Sequence, residues 1–236
     1  MTDPQATGGS GAQQFYGQWA AVYDAIATYT PGVPALRQEV AAACRLEPGD
    51  TVVELGCGTG ANLPYLRHAV GPSGTVVGVD FTGPVLERAR DRTSRFENVH
   101  VVRGDAIRFP LSAERTDADA VVATFVVGML PDPASAVDDW ADLVGPGGRV
   151  VLANAARSER WYAPVVNAIF RAIVVCSTPP ATKLRYDRDI TRQLDERIGA
   201  AHRRLRDRSC AVAEASRQFG LVRLTGGEIA PTETDQ

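Results

Sequence analysis

The sequence predicts an α/β fold: a Rossmann-like doubly wound sheet, mostly parallel, with helices on both faces and an antiparallel C-terminal hairpin strand. Three observations predict it. Apolar strand-like runs alternate with amphipathic helical stretches, the first run leads into a glycine-rich turn, and two extended runs follow one another near the C-terminus. Alternation of this kind is typical of a parallel sheet covered by helices on both sides.

The segment before the sheet is predicted to be helical. Residues 1–14 are polar and rich in glycine, and we expect them to form a mobile tail. Residues 15–45 carry aromatic and apolar residues at helical spacing and are interpreted as an N-terminal helical lid. We expect Pro34 to interrupt this pattern and Leu36–Cys44 to resume it.

The sheet and the helices that cover it follow in order, and residues 15–236 are predicted to form a single domain. A charged helix and a closing hairpin end the chain. Strands are predicted at 51–55, 75–79, 99–103, 119–124 and 148–153, and helices near 61–69 and at 83–95, 133–143 and 187–208, with the hairpin at 210–217 and 221–230.

Composition excludes several classes of protein. The net charge of −3 gives no broad basic surface for nucleic acid. The four cysteines lie far apart with no C-x-x-C pair, which argues against a zinc site and a disulfide framework and favours a reducing cytoplasm. No apolar run approaches the length of a membrane-spanning helix.

The most informative stretch is the turn after the first strand. The strand carries Glu54 near its end and leads directly into Gly56, Gly58 and Gly60. Glycines at this spacing allow a sharp turn and let a ligand lie against the backbone. Twenty residues later the second strand ends at Asp80, a position suited to holding the ribose hydroxyls of a nucleoside.

Two cofactors could use this layout. Gly56, Gly58 and Ala61 satisfy the loose dinucleotide pattern G-x-G-x-x-G/A. A dinucleotide would bring a pyrophosphate close to the carboxylate of Glu54, which would repel it. S-adenosylmethionine brings an ammonium and a sulfonium instead, which a carboxylate attracts, so the pair Glu54 and Asp80 favours S-adenosylmethionine.

Over roughly residues 15–155 the sequence resembles the class I S-adenosylmethionine-dependent methyltransferases. The resemblance rests on five blocks that occur in the family's order and spacing. They are Glu54-Leu-Gly-Cys-Gly-Thr-Gly60, Val77-Gly-Val-Asp80, Val102-Arg-Gly-Asp-Ala106, Asp119-Ala-Val-Val-Ala123 and Val144-Gly-Pro-Gly-Gly-Arg-Val-Val-Leu152.

The resemblance implies a role for each block. The glycine turn would cradle the methionine end, Asp80 would accept both ribose hydroxyls, Asp105 would accept from the adenine amine, and an aromatic lid would close over the cofactor. It also implies that 154–208 is an insertion on the substrate side. The cofactor-binding residues predicted are Tyr16, Tyr23, Glu54, Gly56, Cys57, Gly58, Gly60, Asn62, Asp80, Phe81, Gly104, Asp105, Ala106, Thr124 and Phe125.

Several of these residues have a plainer interpretation, and on that interpretation Glu54 is a surface residue at a tight strand-to-helix turn. Asp80 would serve equally as a helix N-cap, Asp105 as a turn residue, and Thr124 as an ordinary strand former. The aromatic stripe of residues 15–26 would serve to pack a helix on the core. Cys57 is interpreted as a small packing residue.

No catalytic base and no metal site are predicted. Methyl transfer from a sulfonium requires alignment of the nucleophile and exclusion of water rather than a metal. The three histidines, His68, His100 and His202, fit no metal-ligand spacing. His202 lies in the charged helix, where we interpret it as a solvated histidine rather than a general base.

The sequence predicts methyl transfer to a small-molecule or lipid-like acceptor, with S-adenosylhomocysteine as the product. The loose C-terminal likeness is to quinone and phospholipid methyltransferases, and residues 165–175 would either cap an apolar substrate, touch a membrane surface or pack in the core. An NAD-dependent oxidoreductase and a non-catalytic S-adenosylmethionine-binding protein stay open as alternatives, and the sequence does not specify an oligomeric state. Candidates for lining the pocket are Arg157, Arg160, Trp161, Tyr162, Arg171 and Tyr186.

Overall fold

A computed structural model describes residues 32–107, 118–155, 190–217 and 220–231, together with Pro164 and Ala168. The described chain forms one seven-stranded sheet in the order β3-β2-β1-β4-β5-β7-β6. Its strands are β1 Thr51–Leu55, β2 Thr75–Asp80, β3 Val99–Arg103, β4 Ala120–Thr124, β5 Arg149–Ala155, β6 Ser209–Arg217 and β7 Val222–Ile229.

Helices cover both faces of this sheet, and the predicted fold class is confirmed. A short 3₁₀ helix, Val127–Met129, follows β4. The α-helices are α1 Val33–Ala43, α2 Leu63–Val70, α3 Gly83–Thr93, α4 Pro133–Val144 and α5 Ile190–Arg208.

Strand direction brings the functional positions together. Strands β1 to β5 are parallel, and β7 and β6 add antiparallel strands at one side. Glu54 pairs with Gly78 of β2 and with Val122 of β4, so the carboxyl ends of the three strands meet at one edge. The order reverses direction between β1 and β4, which is where ligands bind in open sheets of this kind.

Two apolar clusters hold the helices to the sheet. On one face α1, α2 and α3 cover side chains such as Val52 and Val76, and on the other α4 and α5 cover side chains such as Val53 and Val121. Period-2 alternation along β1 thus sends successive apolar residues to opposite clusters, as expected for a strand buried on both faces.

Most elements begin or end within a few residues of the predicted positions, and two of the differences bear on the argument. Pro34 does not interrupt the first helix but lies in its first turn, where a proline lacks only an N–H that the helix would leave unpaired. Strand β2 is one residue longer than predicted and includes Asp80.

Several predictions lie outside the described residues. These include the tail 1–14, the lid residues Tyr16 and Tyr23, and nearly all of the segment 156–189 with its pocket candidates. The division of 15–236 into a lid, a core and an insertion therefore stays a prediction. In the part of the chain that is described, no helix combines the length and apolar character needed to cross a membrane.

Candidate functional site

The turn after β1 folds back onto the end of β2. The backbone N–H groups of Gly56 and Cys57 donate to the carbonyl of Val79 at 2.8 and 2.9 Å. Gly56, Gly58 and Gly60 have φ values of 72°, 54° and 71°. These left-handed conformations disfavour residues with a side chain, so all three positions favour glycine.

The surroundings of the three glycines differ. A Cβ on Gly56 would lie 2.8 Å from Val126 Cγ2, and one on Gly60 would lie 2.9 Å from Ala89 Cβ, so these two glycines permit close packing. A Cβ on Gly58 would meet no atom within 4 Å. Gly58 therefore faces open space, as a residue does when its backbone is to contact a ligand.

Glu54 is held in a buried cluster, which we call the Glu54 cluster: Glu54, Asn62 and Thr124. Glu54 Oε1 accepts hydrogen bonds from Asn62 Nδ2 at 2.5 Å and from Thr124 Oγ1 at 2.9 Å. Asn62 Nδ2 also donates to Thr124 Oγ1 at 2.9 Å, and Arg37 Nη1 donates to Asn62 Oδ1 at 2.6 Å. Side chains from β4 and the start of α2 thus bond to one carboxylate oxygen of Glu54, and α1 supports Asn62 through Arg37.

The second oxygen of this carboxylate has no partner. Glu54 is 1% exposed, and its Oε2 is the one buried side-chain oxygen or nitrogen without a hydrogen bond among the described residues. Burial raises the pKa of Glu54 to about 7, against the opposing effect of the Asn62 and Thr124 hydrogen bonds and the Arg37 charge. Such an atom requires an explanation, and a cationic ligand would supply one.

Asp80 is positioned by backbone groups. Its Oδ1 accepts from the N–H of Thr82 at 2.8 Å, and its Oδ2 accepts from the N–H of Gly58 at 3.0 Å. Thr82, not Asp80, is the N-cap of α3. Because an ionised carboxylate has about four acceptor sites, each oxygen keeps capacity for a further donor.

Further candidate cofactor-binding residues lie at the same edge of the sheet, after β3 and at the end of β4. Asp105 is exposed and its Oδ1 accepts from the N–H of Ile107 at 2.9 Å, which is the predicted turn contact and leaves Oδ2 for another donor. Ala106 is fixed by Trp140 Nε1, which donates to its carbonyl at 3.0 Å. Phe81 and Phe125 expose 44% and 45% of their surface, which is unusual for residues of this size.

Sequence reasoning missed three features here. The link from Arg37 to Asn62 joins α1 to the cluster, and no local pattern reveals it because the two residues lie 25 positions apart. Phe125 has a φ of 58°, a rare conformation for a bulky residue. Asn62 was among the predicted residues, but its role as donor to Glu54 was not predicted.

The interpretation of His202 as a solvated histidine is wrong. His202 is fully buried, with Nδ1 2.7 Å from Thr225 Oγ1 and Nε2 3.2 Å from Asn154 Oδ1. We call these three residues the His202 cluster. Burial lowers the pKa of His202 to about 3, and the charges of Arg223 and Arg206 act in the same direction. The imidazole is therefore neutral and structural.

The described cysteines show no sign of a reactive thiol, and the described residues form no metal site. Cys44, Cys57 and Cys210 are free thiols. Burial raises the pKa of Cys57, which suits a packing residue rather than a nucleophile. Among the residues described, no group of three or more histidine, cysteine, aspartate or glutamate side chains could hold a metal ion.

Comparison with known proteins gives a consistent result. Residues 53–152 match the family described as "Methyltransferase domain". The chain is 35% identical over 109 residues to a demethylmenaquinone methyltransferase of Staphylococcus aureus, covering 46% of this chain and 44% of that protein. It is 31% identical over 115 residues to an arsenite methyltransferase of Halobacterium salinarum, covering 48% of this chain and 29% of that protein.

A solved structure extends the likeness of fold. An S-adenosylmethionine-dependent methyltransferase from Aquifex aeolicus superimposes with a TM-score of 0.63 at 18% identity, covering 91% of this chain and 98% of the other. The two sequence relatives are matched over less than half of their own length.

Proposed function

We propose that the protein transfers a methyl group to a small-molecule or lipid-like acceptor, because residues 53–152 match the methyltransferase domain family and the fold resembles that of an S-adenosylmethionine-dependent methyltransferase. When bound, S-adenosylmethionine supplies an electrophilic methyl group on a sulfonium and becomes S-adenosylhomocysteine. The S–CH₃ bond breaks, a bond to the acceptor's nucleophilic atom forms, and the acceptor loses a proton to solvent or to the protein. The atoms that this chain contributes bind, orient and exclude water.

The observation that carries the proposal is the unpartnered Oε2 of Glu54. A buried carboxylate oxygen attracts a cationic donor and repels a phosphate. Glu54 lies two positions before Gly56, the first residue of the glycine turn, where the methionine end of the cofactor would lie. The ammonium group of S-adenosylmethionine would donate to Oε2 and favour the ionised form of Glu54.

The neighbouring residues suit the rest of the cofactor. Gly58 offers open space beside its backbone, and Asp80 retains one acceptor site on each oxygen for the ribose hydroxyls. Asp105 would accept from the adenine amine, and the exposed ring of Phe81 would pack on the adenine face. Gly104 and Ala106 frame that position, and the N–H of Gly104 already donates to the carbonyl of Asp80 at 3.0 Å.

The acceptor side is defined by Thr124 and Phe125. Thr124 Oγ1 is committed to Glu54, which leaves the ring of Phe125 as the group that faces outward at the end of β4. We propose an acceptor with an apolar body, in line with the quinone named in one relative, and we place the reaction in the cytoplasm. Contact with a membrane surface is part of this proposal only for a lipid acceptor.

Two measurements test the proposal against its alternatives. Thermal unfolding is followed with S-adenosylmethionine, S-adenosylhomocysteine or NAD, and we expect stabilisation by the first two. Stabilisation by NAD alone would favour an oxidoreductase. Methyl release is then assayed against quinols, amines and phospholipids. Binding of both nucleosides with no transfer to any acceptor would favour the non-catalytic alternative.

A further inference from the structure

A groove with a volume of about 820 Å³ lies between α1 and α2. One wall is the face of α1 from Pro34 to Arg45, about 17 Å long at 1.5 Å per residue. Tyr65 and His68 of α2 form the opposite wall, and Arg92 and Arg95 at the end of α3 border it. None of the roles proposed for methyl transfer requires this groove to be filled.

The groove is strongly cationic. Four arginines line it, Arg37, Arg45, Arg92 and Arg95, together with His68, and no aspartate or glutamate occurs among its described lining residues. Arg37 donates to Asn62 and Arg92 to Thr59, so these two arginines add positive charge but already have partners. The whole chain carries a net charge of −3, so this concentration of positive charge is local. A concave surface with charge of one sign attracts ligands of the opposite sign.

Arg45 adds a second, independent observation. It follows the last residue of α1 and its cap, Cys44, with a φ of 52°, a conformation in which glycine is usual at a helix end. Its side chain is 63% exposed and lies 3.9 Å from Glu228, an ion pair that contributes little in water. Arg45 thus places an exposed cation at the border of the groove from a backbone conformation that is rare for a residue with a side chain.

The floor of the groove favours a small molecule over a membrane. Ala41 is buried there, and Leu46 and Tyr65 are partly buried. The large apolar residues that are strongly exposed in the described chain all lie elsewhere, whereas a membrane-docking surface places such residues beside its basic ones. The volume is in the range of small-molecule sites, about 300–1,000 Å³.

We propose that the α1–α2 groove binds a soluble phosphorylated small molecule. Its apolar body packs on the floor, and its phosphate accepts hydrogen bonds from Arg45, Arg95 and His68, for which the planar guanidinium groups provide paired donors. This binding requires neither the methyl donor nor a methyl acceptor, so it can be tested independently of the proposed methyl transfer.

Calorimetric titration of the full chain with phenyl phosphate tests the proposal. We expect one saturable site, weaker binding of inorganic phosphate, and no binding of phenol, which lacks the charge. Arg45→Gly should weaken phenyl phosphate binding about tenfold, since a charged hydrogen bond is lost. The same variant should unfold at an unchanged or higher temperature, because glycine adopts this φ without strain.

Further variants separate the groove from general charge. Arg95→Gln should also weaken binding, whereas Arg203→Gln, which removes an exposed arginine of α5, should leave it unchanged. Absence of phenyl phosphate binding, or equal affinity in wild type and Arg45→Gly, would overturn the proposal. It would also be overturned if phosphatidylglycerol vesicles bound in an Arg45-dependent manner and phenyl phosphate did not, since the groove would then serve a membrane. S-adenosylmethionine titrated in parallel reports on the proposed activity alone.

Discussion

The molecule contains two buried polar clusters that differ in one respect. The Glu54 cluster joins the ends of β1 and β4 to the start of α2 and leaves one carboxylate oxygen without a partner. The His202 cluster joins α5 to β5 and β7, and both nitrogens of its ring lie within hydrogen-bonding distance of a side chain. The three residues of the His202 cluster are almost inaccessible to water, as are Glu54 and Asn62, and Thr124 is half-buried.

The difference separates a binding site from a structural contact. A polar cluster in which every buried donor and acceptor is hydrogen-bonded within the protein stabilises the fold and has no group left to bind a ligand. A cluster that retains an unsatisfied buried acceptor lowers the stability of the empty protein, and a ligand with the matching donor relieves that cost. Burial and residue type alone would have ranked His202 and Glu54 equally as functional candidates.

The largest expected effect is a pair of opposite pH dependences. Glu54 has a folded pKa of about 7, above its ordinary 4.5, so the folded state binds more protons and the free energy of unfolding falls as pH rises from 4.5 to 7. Its contribution reaches about 3 kcal/mol at 1.36 kcal/mol per pKa unit. His202 has a lowered folded pKa of about 3 against 6.5, so its contribution is lost as pH falls below 6.5.

Denaturant unfolding between pH 5 and 8 checks these signs in variants. Relative to wild type, Glu54→Gln should gain stability as pH rises, because the amide never ionises in the buried site. His202→Leu should show its greatest deficit near neutral pH and a smaller one at pH 5. Curves parallel to wild type in both variants would mean that neither group titrates as the clusters require.

The next effect concerns the His202 cluster alone. His202→Leu should lower the free energy of unfolding by about 2 kcal/mol at pH 7.5, because Asn154 and Thr225 lose their shared partner. The affinity for S-adenosylmethionine should not change. The exposed His100→Leu on β3 is the matched control and should cost little. If His202→Leu lost affinity for S-adenosylmethionine, the claim that only the Glu54 cluster serves cofactor binding would be contradicted.

The smallest effect is at Asp80. Asp80→Asn keeps one acceptor oxygen and replaces the other with an amide donor, so S-adenosylmethionine should bind about 1–2 kcal/mol more weakly by calorimetry. Asp91→Asn, on the exposed surface of α3, serves as the control. If the affinity of Asp80→Asn were unchanged, Asp80 would not bind the ribose hydroxyls. Its carboxylate would then only stabilise the turn.

Much of the fold could be predicted because its signals are local. Apolar runs of strand length and the glycine turn lie within short windows, and Glu54 and Asp80 are placed by the strands that carry them. The clusters depend instead on contacts between distant residues. Thr124 reaches Glu54 across 70 positions and Asn154 reaches His202 across 48, and no periodicity encodes such pairs.

The error at His202 and the unpredicted contact of Asn62 have the same origin. His202 lies in a helix rich in charge, so composition indicated a solvated residue, yet it lies on the buried face of α5 and contacts β5 and β7. Asn62 has the residue type of a helix N-cap and occupies that position, but it makes no capping bond and instead donates to Glu54. In both cases tertiary packing decides what the local pattern leaves open.

The most direct test of the account is calorimetry of S-adenosylmethionine binding to wild type and Glu54→Gln, with Glu87→Gln on the surface of α3 as control. Wild type should bind about fiftyfold more tightly than Glu54→Gln, the ratio expected for loss of a buried charged hydrogen bond. In buffers of different ionisation enthalpy near pH 6.5, wild type should release a proton on binding and Glu54→Gln should not. Equal affinity and equal proton release in the two proteins would contradict the assignment of Glu54 as the acceptor for the cofactor's cationic end.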